Sequence, residues 1–157
     1  MATFETELSP SPSSSSSSAV TEIQSLMDDW RNALTAKDLD RLIQHYDPAV
    51  RFFDAVPPYE HQGATAYRRT WENMMPFLPE ALGSEVRELQ ITAEGNVAFA
   101  SCLQRLTNRK NNEAATCGWV RVTLCFQRKN DSWKVVHEHV SVPFNPQTAQ
   151  AAFVKEL

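Results

Sequence analysis

Four strand-like runs in succession, at residues 85–93, 96–107, 115–129 and 131–142, constrain this chain more than any other feature. Each is rich in β-branched and aromatic residues. The breaks between them carry turn chemistry: Glu94-Gly95-Asn96, a polar stretch at 108–114, and Lys129-Asn130-Asp131. The spacing predicts hairpin-linked antiparallel strands.

Ahead of these runs the hydrophobic period is that of helices. Ile23, Leu26, Met27, Trp30 and Leu34 share one helical face behind a capping-box pattern of Thr21 and Gln24, which predicts a helix ending near Ala36. Asp38 is placed to cap a second helix carrying Leu39, Leu42, Ile43 and Tyr46, stopped by Asp47-Pro48. Val50 to Asp54 reads as a short strand, and the loop through Pro57, Pro58 and Gly63 suits a pocket rim. A third helix from Ala64 sets Tyr67, Trp71, Met74 and Met75 on one side and is closed by Pro76 and Pro79. Three helices followed by a strand meander predict an α+β fold, with helices packed on one face of a strongly curved antiparallel sheet and the gap between the layers as the ligand site.

At 157 residues and 42% hydrophobic content the chain is long enough for one core and too short for two. Residues 1–18, with six consecutive serines, offer too little apolar surface to offset the entropy of ordering. They are expected to form a disordered tail, followed by the domain at 19–145 and a C-terminal tail at 146–157. A net charge of -4 supplies no basic surface of the kind a phosphate backbone requires, which argues against nucleic acid as a partner. No apolar run approaches the roughly 20 residues that span a bilayer. Glu5, Glu7 and the serines stand where a secretory signal would put positive charge and an apolar stretch. A cytoplasmic protein with no membrane partner is expected, with Cys102, Cys117 and Cys125 as reduced strand residues.

In the last run a period of two puts Trp133, Val135, His137, His139 and Ser141 on one face, with Lys134, Val136, Glu138, Val140 and Val142 on the other. The run before it sets Trp119, Arg121, Thr123 and Cys125 against Val120, Val122, Leu124 and Phe126. The mixed polar and aromatic face is expected to line a pocket. The aliphatic face is expected to be a buried interface between two copies of the chain.

The stretch Trp133-Lys-Val-Val-His137-Glu-His139-Val-Ser141 resembles the strand that closes SnoaL-like domains and the calcium/calmodulin-dependent kinase II association domain, within the nuclear-transport-factor-2-like superfamily. Trp30, the Asp38 to Tyr46 helix, Phe53-Asp54, and Gly63 with Tyr67 fall where that superfamily's opening elements would place them, so the resemblance covers roughly residues 20–143. It implies a cone-shaped roll with an interior pocket centred on His139. It also implies that Arg121 lines the pocket, as an arginine does in association domains, with Arg105 as a second candidate. Asp54, nine residues before Gly63, is similar in position to the general-base aspartate of ketosteroid isomerases. The isomerases' tyrosine and protonated-aspartate donors have no counterpart in this pattern, which leaves Arg121 or protonated His139 to stabilise an oxyanion.

Desolvation on a rim lined by Phe52 or Phe53, Trp71 and Trp119 would raise the pKa of Asp54, as proton abstraction beside a carbonyl needs. The expected catalytic residues are therefore Asp54, His139 and Arg121. Tyr59, His61, Tyr67 and Trp71 are expected to contact the ligand, together with Arg105, Trp119, His137 and Ser141. The expected activity is that of an isomerase, cyclase or dehydratase in a homodimer, acting on a small organic ligand with a polar or anionic group and using no cofactor. Other readings remain open. Asp54 would equally serve as a loop cap at Val56 or as a partner of Arg51 or Arg68, and His139 and Ser141 as satisfied core polar groups. Arg121 inside a pocket requires either a carboxylate such as Asp54 or an anionic ligand. His137 and His139 with Asp54, Glu60 or His61 would make a metal site, although the resemblance implies none. The rival class is a non-catalytic binding or assembly module.

Overall fold

The computed structural model describes residues 14–157, so the first part of the expected tail, residues 1–13, lies outside the described residues. Helix α1 spans Ser14–Thr35 and takes up serines assigned above to the tail. The Thr21 hydroxyl donates to the Ser17 carbonyl at 3.1 Å instead of capping a helix start, and Ser18 donates to Glu22 at 3.1 Å. Serine is a middling helix former, so a helix whose Ile23, Ala33 and Leu34 are fully buried can propagate back through the run.

Asp38 caps α2 (Leu39–Ile43), accepting from the Arg41 amide at 3.0 Å. Tyr46 does not continue this helix, as its spacing predicts, but opens strand β1 (Tyr46–Phe53). Pro48 is tolerated inside β1 because the pairing with the neighbouring strand is irregular between Tyr46 and Arg51, where no ladder amide is required. After the short β2 (His61–Gln62), Gly63 at φ 88 turns the chain into α3 (Ala64–Met74), and one 3-10 turn at Met75–Phe77 ends it.

Strands β3 (Leu82–Glu94), β4 (Val97–Asn108), β5 (Glu113–Ala114), β6 (Val120–Lys129) and β7 (Ser132–Ser141) follow. The sheet order is β2-β1-β7-β6-β4-β3, with β5 beside β4. Its pairs are antiparallel except β1 with β7, which is parallel. The helices cover the concave face of this curled sheet, giving the α+β roll expected from the sequence. Their apolar residues join Ala98, Ala100, Val122, Leu124 and Phe126 in one core. Among the described residues no helix is long and apolar enough to cross a membrane.

One irregularity decides which side chains reach the interior. Cys125 pairs with His137 while Phe126 pairs with Val135, so Val136 is an extra residue in β7. This bulge shifts the alternation by one. Trp133 and Val135 face the core before it, and Glu138 and Val140 face inward after it. The aliphatic face of β6 is therefore the concave, helix-covered face, which corrects the expectation that it forms an interface between copies.

Residues beyond β7 fold back rather than trailing away. Strands β8 (Phe144–Asn145) and β9 (Gln150–Ala151) form a small hairpin, and the Trp119 amide then donates to the Val154 carbonyl at 2.8 Å.

Candidate functional site

Between the helices and the concave sheet face lies a cavity of about 330 Å³. The helical spacing of α3 aims Tyr67, Trp71 and Met74 at it, and α1 adds Trp30. Phe52 and Asp54 reach it from the end of β1, Gln104 and Leu106 from β4, and Val120 from β6. Glu138 and Val140 enter from β7 because of the bulge, and residues 116–118 border the far side. The walls are predominantly apolar, and their ionisable carboxyls are Asp54 and Glu138.

Glu138 is 6% exposed. Its Oε2 accepts from the Tyr46 hydroxyl at 2.6 Å, and Tyr46 and Tyr67 bring their hydroxyls to 2.7 Å with their rings stacked at 4.1 Å. A phenol has one proton to give, so with that of Tyr46 on Glu138, Tyr67 donates to Tyr46. Burial, with a smaller contribution from the charge of Asp54, raises the Glu138 carboxyl to about 7, against the hydrogen bond from Tyr46. Burial also holds both tyrosines well above 10.0, and Glu138 adds to this.

Asp54 is raised as well, chiefly by desolvation. The backbone amides of Ala55 and Val56 and the nearby His61 oppose that rise, and the Ala55 amide lies 2.6 Å from Oδ1. Arg51 is paired with Glu60 at 2.6 Å, and Arg68 with Asp40 and Glu72. Neither arginine holds Asp54, so its one anchor among the alternatives raised above is the loop backbone.

The other expected site residues divide sharply. Tyr67 and Trp71 line the cavity beside Asp54. His61 stacks on the back of Phe52, with centroids 4.4 Å apart and planes within 6°, and Tyr59 is 85% exposed. The bulge turns His137, His139 and Ser141 to the convex face, where Arg121 pairs in register with Ser141. The pocket is therefore not centred on His139, and Arg121 does not meet Asp54, because the sheet lies between them. Arg105 is ion-paired with Glu85 at 2.9 Å. It lies over the Trp119 ring, which Arg87 also covers, away from the cavity. His137 donates from Nδ1 to the Arg51 carbonyl at 2.9 Å. Among the described residues no three His, Cys, Asp or Glu come together as a metal site.

Sequence reasoning missed Glu138, Tyr46, Trp30 and Gln104 as site residues. No local signal marks Val136 as the bulge. The aliphatic face of β6 was the available signal, since small-molecule cavities are mostly apolar and Glu138 shares that face.

The model of the SnoaL-like domain matches residues 23–145. No curated protein matches the chain. Among solved structures, an NTF2-like protein of unknown function from Pseudomonas putida is 30% identical with a TM-score of 0.82, over 90% of this chain and 99% of that one. A protein described as a candidate dehydratase of the NTF2-like family, from Streptomyces avermitilis, is 17% identical with a TM-score of 0.68, over 82% and 99%. A candidate calcium/calmodulin-dependent protein kinase II association domain from Xanthomonas campestris is 16% identical with a TM-score of 0.63, over 76% and 84%. The last two likenesses concern the fold alone. With the family match covering most of its length, this chain belongs to the SnoaL-like domain family of the NTF2-like superfamily.

Proposed function

We propose that the cavity binds a small, largely apolar molecule and that Asp54 and Glu138 move a proton on it, the chemistry of an isomerase or dehydratase. The observation that carries this reading is that two carboxyl groups in different environments border one apolar cavity. At Asp54 the backbone amides of Ala55 and Val56 oppose the rise that desolvation causes, whereas Glu138 is fully buried and keeps its proton up to about 7. Environments that separate two carboxyls in this way divide the roles of base and acid between them.

Asp54 then removes a proton from a carbon beside a C=O or C=N bond. The C–H electrons form a new C=C bond, and the π pair moves onto the heteroatom, which takes the proton of Glu138. Tyr46 stabilises the carboxylate left behind. Arg121 and His139 have no part in this scheme because they lie on the opposite face.

The test is deuterium exchange at the carbons next to the carbonyl of β-tetralone, followed by proton NMR in deuterium oxide. The wild type is expected to exceed the buffer rate, and Asp54→Asn to fall roughly a hundredfold toward it. Equal rates for the two proteins would sink the assignment.

A second reading, association between copies, draws on Val97 and Phe99, which are 58% and 50% exposed on β4 and alternate with the inward Ala98 and Ala100. Sedimentation of the wild type against Phe99→Glu checks it, a monomeric wild type being the contrary result.

A further inference from the structure

The walls of the cavity contain no positive charge: among the described residues that line it, none is Arg, Lys or His. The guanidinium of Arg31 lies outside this cavity, between a small adjoining one that Glu138 also borders and an open groove on its other side, and it is engaged by Asp28 and by the Ser84 carbonyl at 2.9 Å. Facing the ligand instead are the two carboxyls and the rings of Trp30, Tyr67 and Trp71.

For a ketone, only the proton of Glu138 offsets the negative charge that develops on oxygen, and no cationic side chain adds to it in this low dielectric. With a nitrogen that is, or becomes, positively charged, each carboxyl gains a counter-charge, and the ring faces offer their negative quadrupoles to the cation.

We infer that the polar group of the ligand is a basic nitrogen, an amine or an imine, seated between Asp54 and Glu138 against Trp71 and Trp30. This rests on the proton-transfer reading and names its substrate class. In the reacting form, a β,γ-unsaturated imine, Glu138 gives its proton to the nitrogen and is left as a carboxylate beside an iminium; Asp54 then takes the proton from the carbon between the two double bonds, and the π pair moves to nitrogen, giving a dienamine. The proton on Asp54 returns to the γ carbon and the N–H proton to Glu138, which completes an isomerisation to the α,β-unsaturated imine with no other reactant.

The test compares β-tetralone with the primary amine and the carboxylate of the same skeleton, by isothermal titration calorimetry at pH 7 on the full chain. The amine should bind about tenfold tighter than the ketone or better, and the carboxylate should not bind. Glu138→Gln, close in shape and unable to carry charge, should weaken the amine severalfold, with Asp54 still in place, and leave the ketone within about twofold of its wild-type affinity. The wild type should also release protons to the buffer on binding the amine, a readout independent of the variant's folding. Ketone or carboxylate binding as tightly as the amine overturns the inference, and so does the absence of binding by all three.

The two readings fail separately. Preference for the amine without exchange of β-tetralone protons removes proton transfer and keeps the nitrogen. Exchange that depends on Asp54, together with tighter binding of the ketone, does the reverse.

Discussion

Tyr46 and Glu138, 92 residues apart in the chain, share a 2.6 Å hydrogen bond in the interior. The bond exists because β1 lies parallel to β7 and the bulge at Val136 turns Glu138 inward. Replacing Tyr46 with Phe keeps the ring stack on Tyr67 and removes the donor from a buried carboxyl. The expected loss is about 1–3 kcal/mol, larger at pH 8 than at pH 6 because the ionised acid depends on the bond more. Urea denaturation at the two pH values checks this.

Glu138 also sets a pH dependence whose direction is unusual for a carboxyl. Its folded value, about 7, lies above the ordinary 4.5, so the folded state holds the proton more tightly than the unfolded chain. Its contribution to stability is complete below 4.5 and is lost as pH rises through about 7. That difference corresponds to roughly 3 kcal/mol, and Asp54 acts in the same direction. Asp29, Asp47, Glu22 and Glu60 are lowered by their basic partners and act in the opposite sense at lower pH. Stability should therefore fall between pH 5 and pH 8 in the wild type and fall less in Glu138→Gln, where Asp54 alone acts in that direction, as read from denaturant midpoints.

Gly118 ties the C-terminal residues to the edge of the site. At φ 103, a Cβ placed there would lie 2.4 Å from the Val154 carbonyl oxygen. Gly118→Ala should lose about 1–3 kcal/mol through backbone strain and that clash. It should also speed hydrogen exchange at the Trp119 amide, whose acceptor is Val154. An unchanged exchange rate at Trp119 would show that the clash is relieved without moving the residues around Val154.

The elements of the fold were legible because hydrophobic period and turn residues report secondary structure directly. Asp38 capped its helix, and α3 ended just ahead of Pro76, which sits in the 3-10 turn that follows it. The site was only partly legible. Asp54, Tyr67 and Trp71 line the cavity because their positions follow from element ends and helical spacing. His139, Arg121 and Ser141 were misplaced because a strand's alternation transmits one inserted residue to everything beyond it. Tyr46 fitted a helical stripe equally well, and only its pairing with Val135 across β7 makes it a strand residue.

Two carboxyls that influence one another across a shared cavity are the centre of this account, and carbon-13 NMR of their side chains tests it without any ligand. Glu138 should titrate near 7, and Asp54→Asn, by removing a like charge, should move that midpoint down toward the ordinary carboxylate range. A Glu138 midpoint close to 4.5, or one that does not respond to Asp54→Asn, would contradict it.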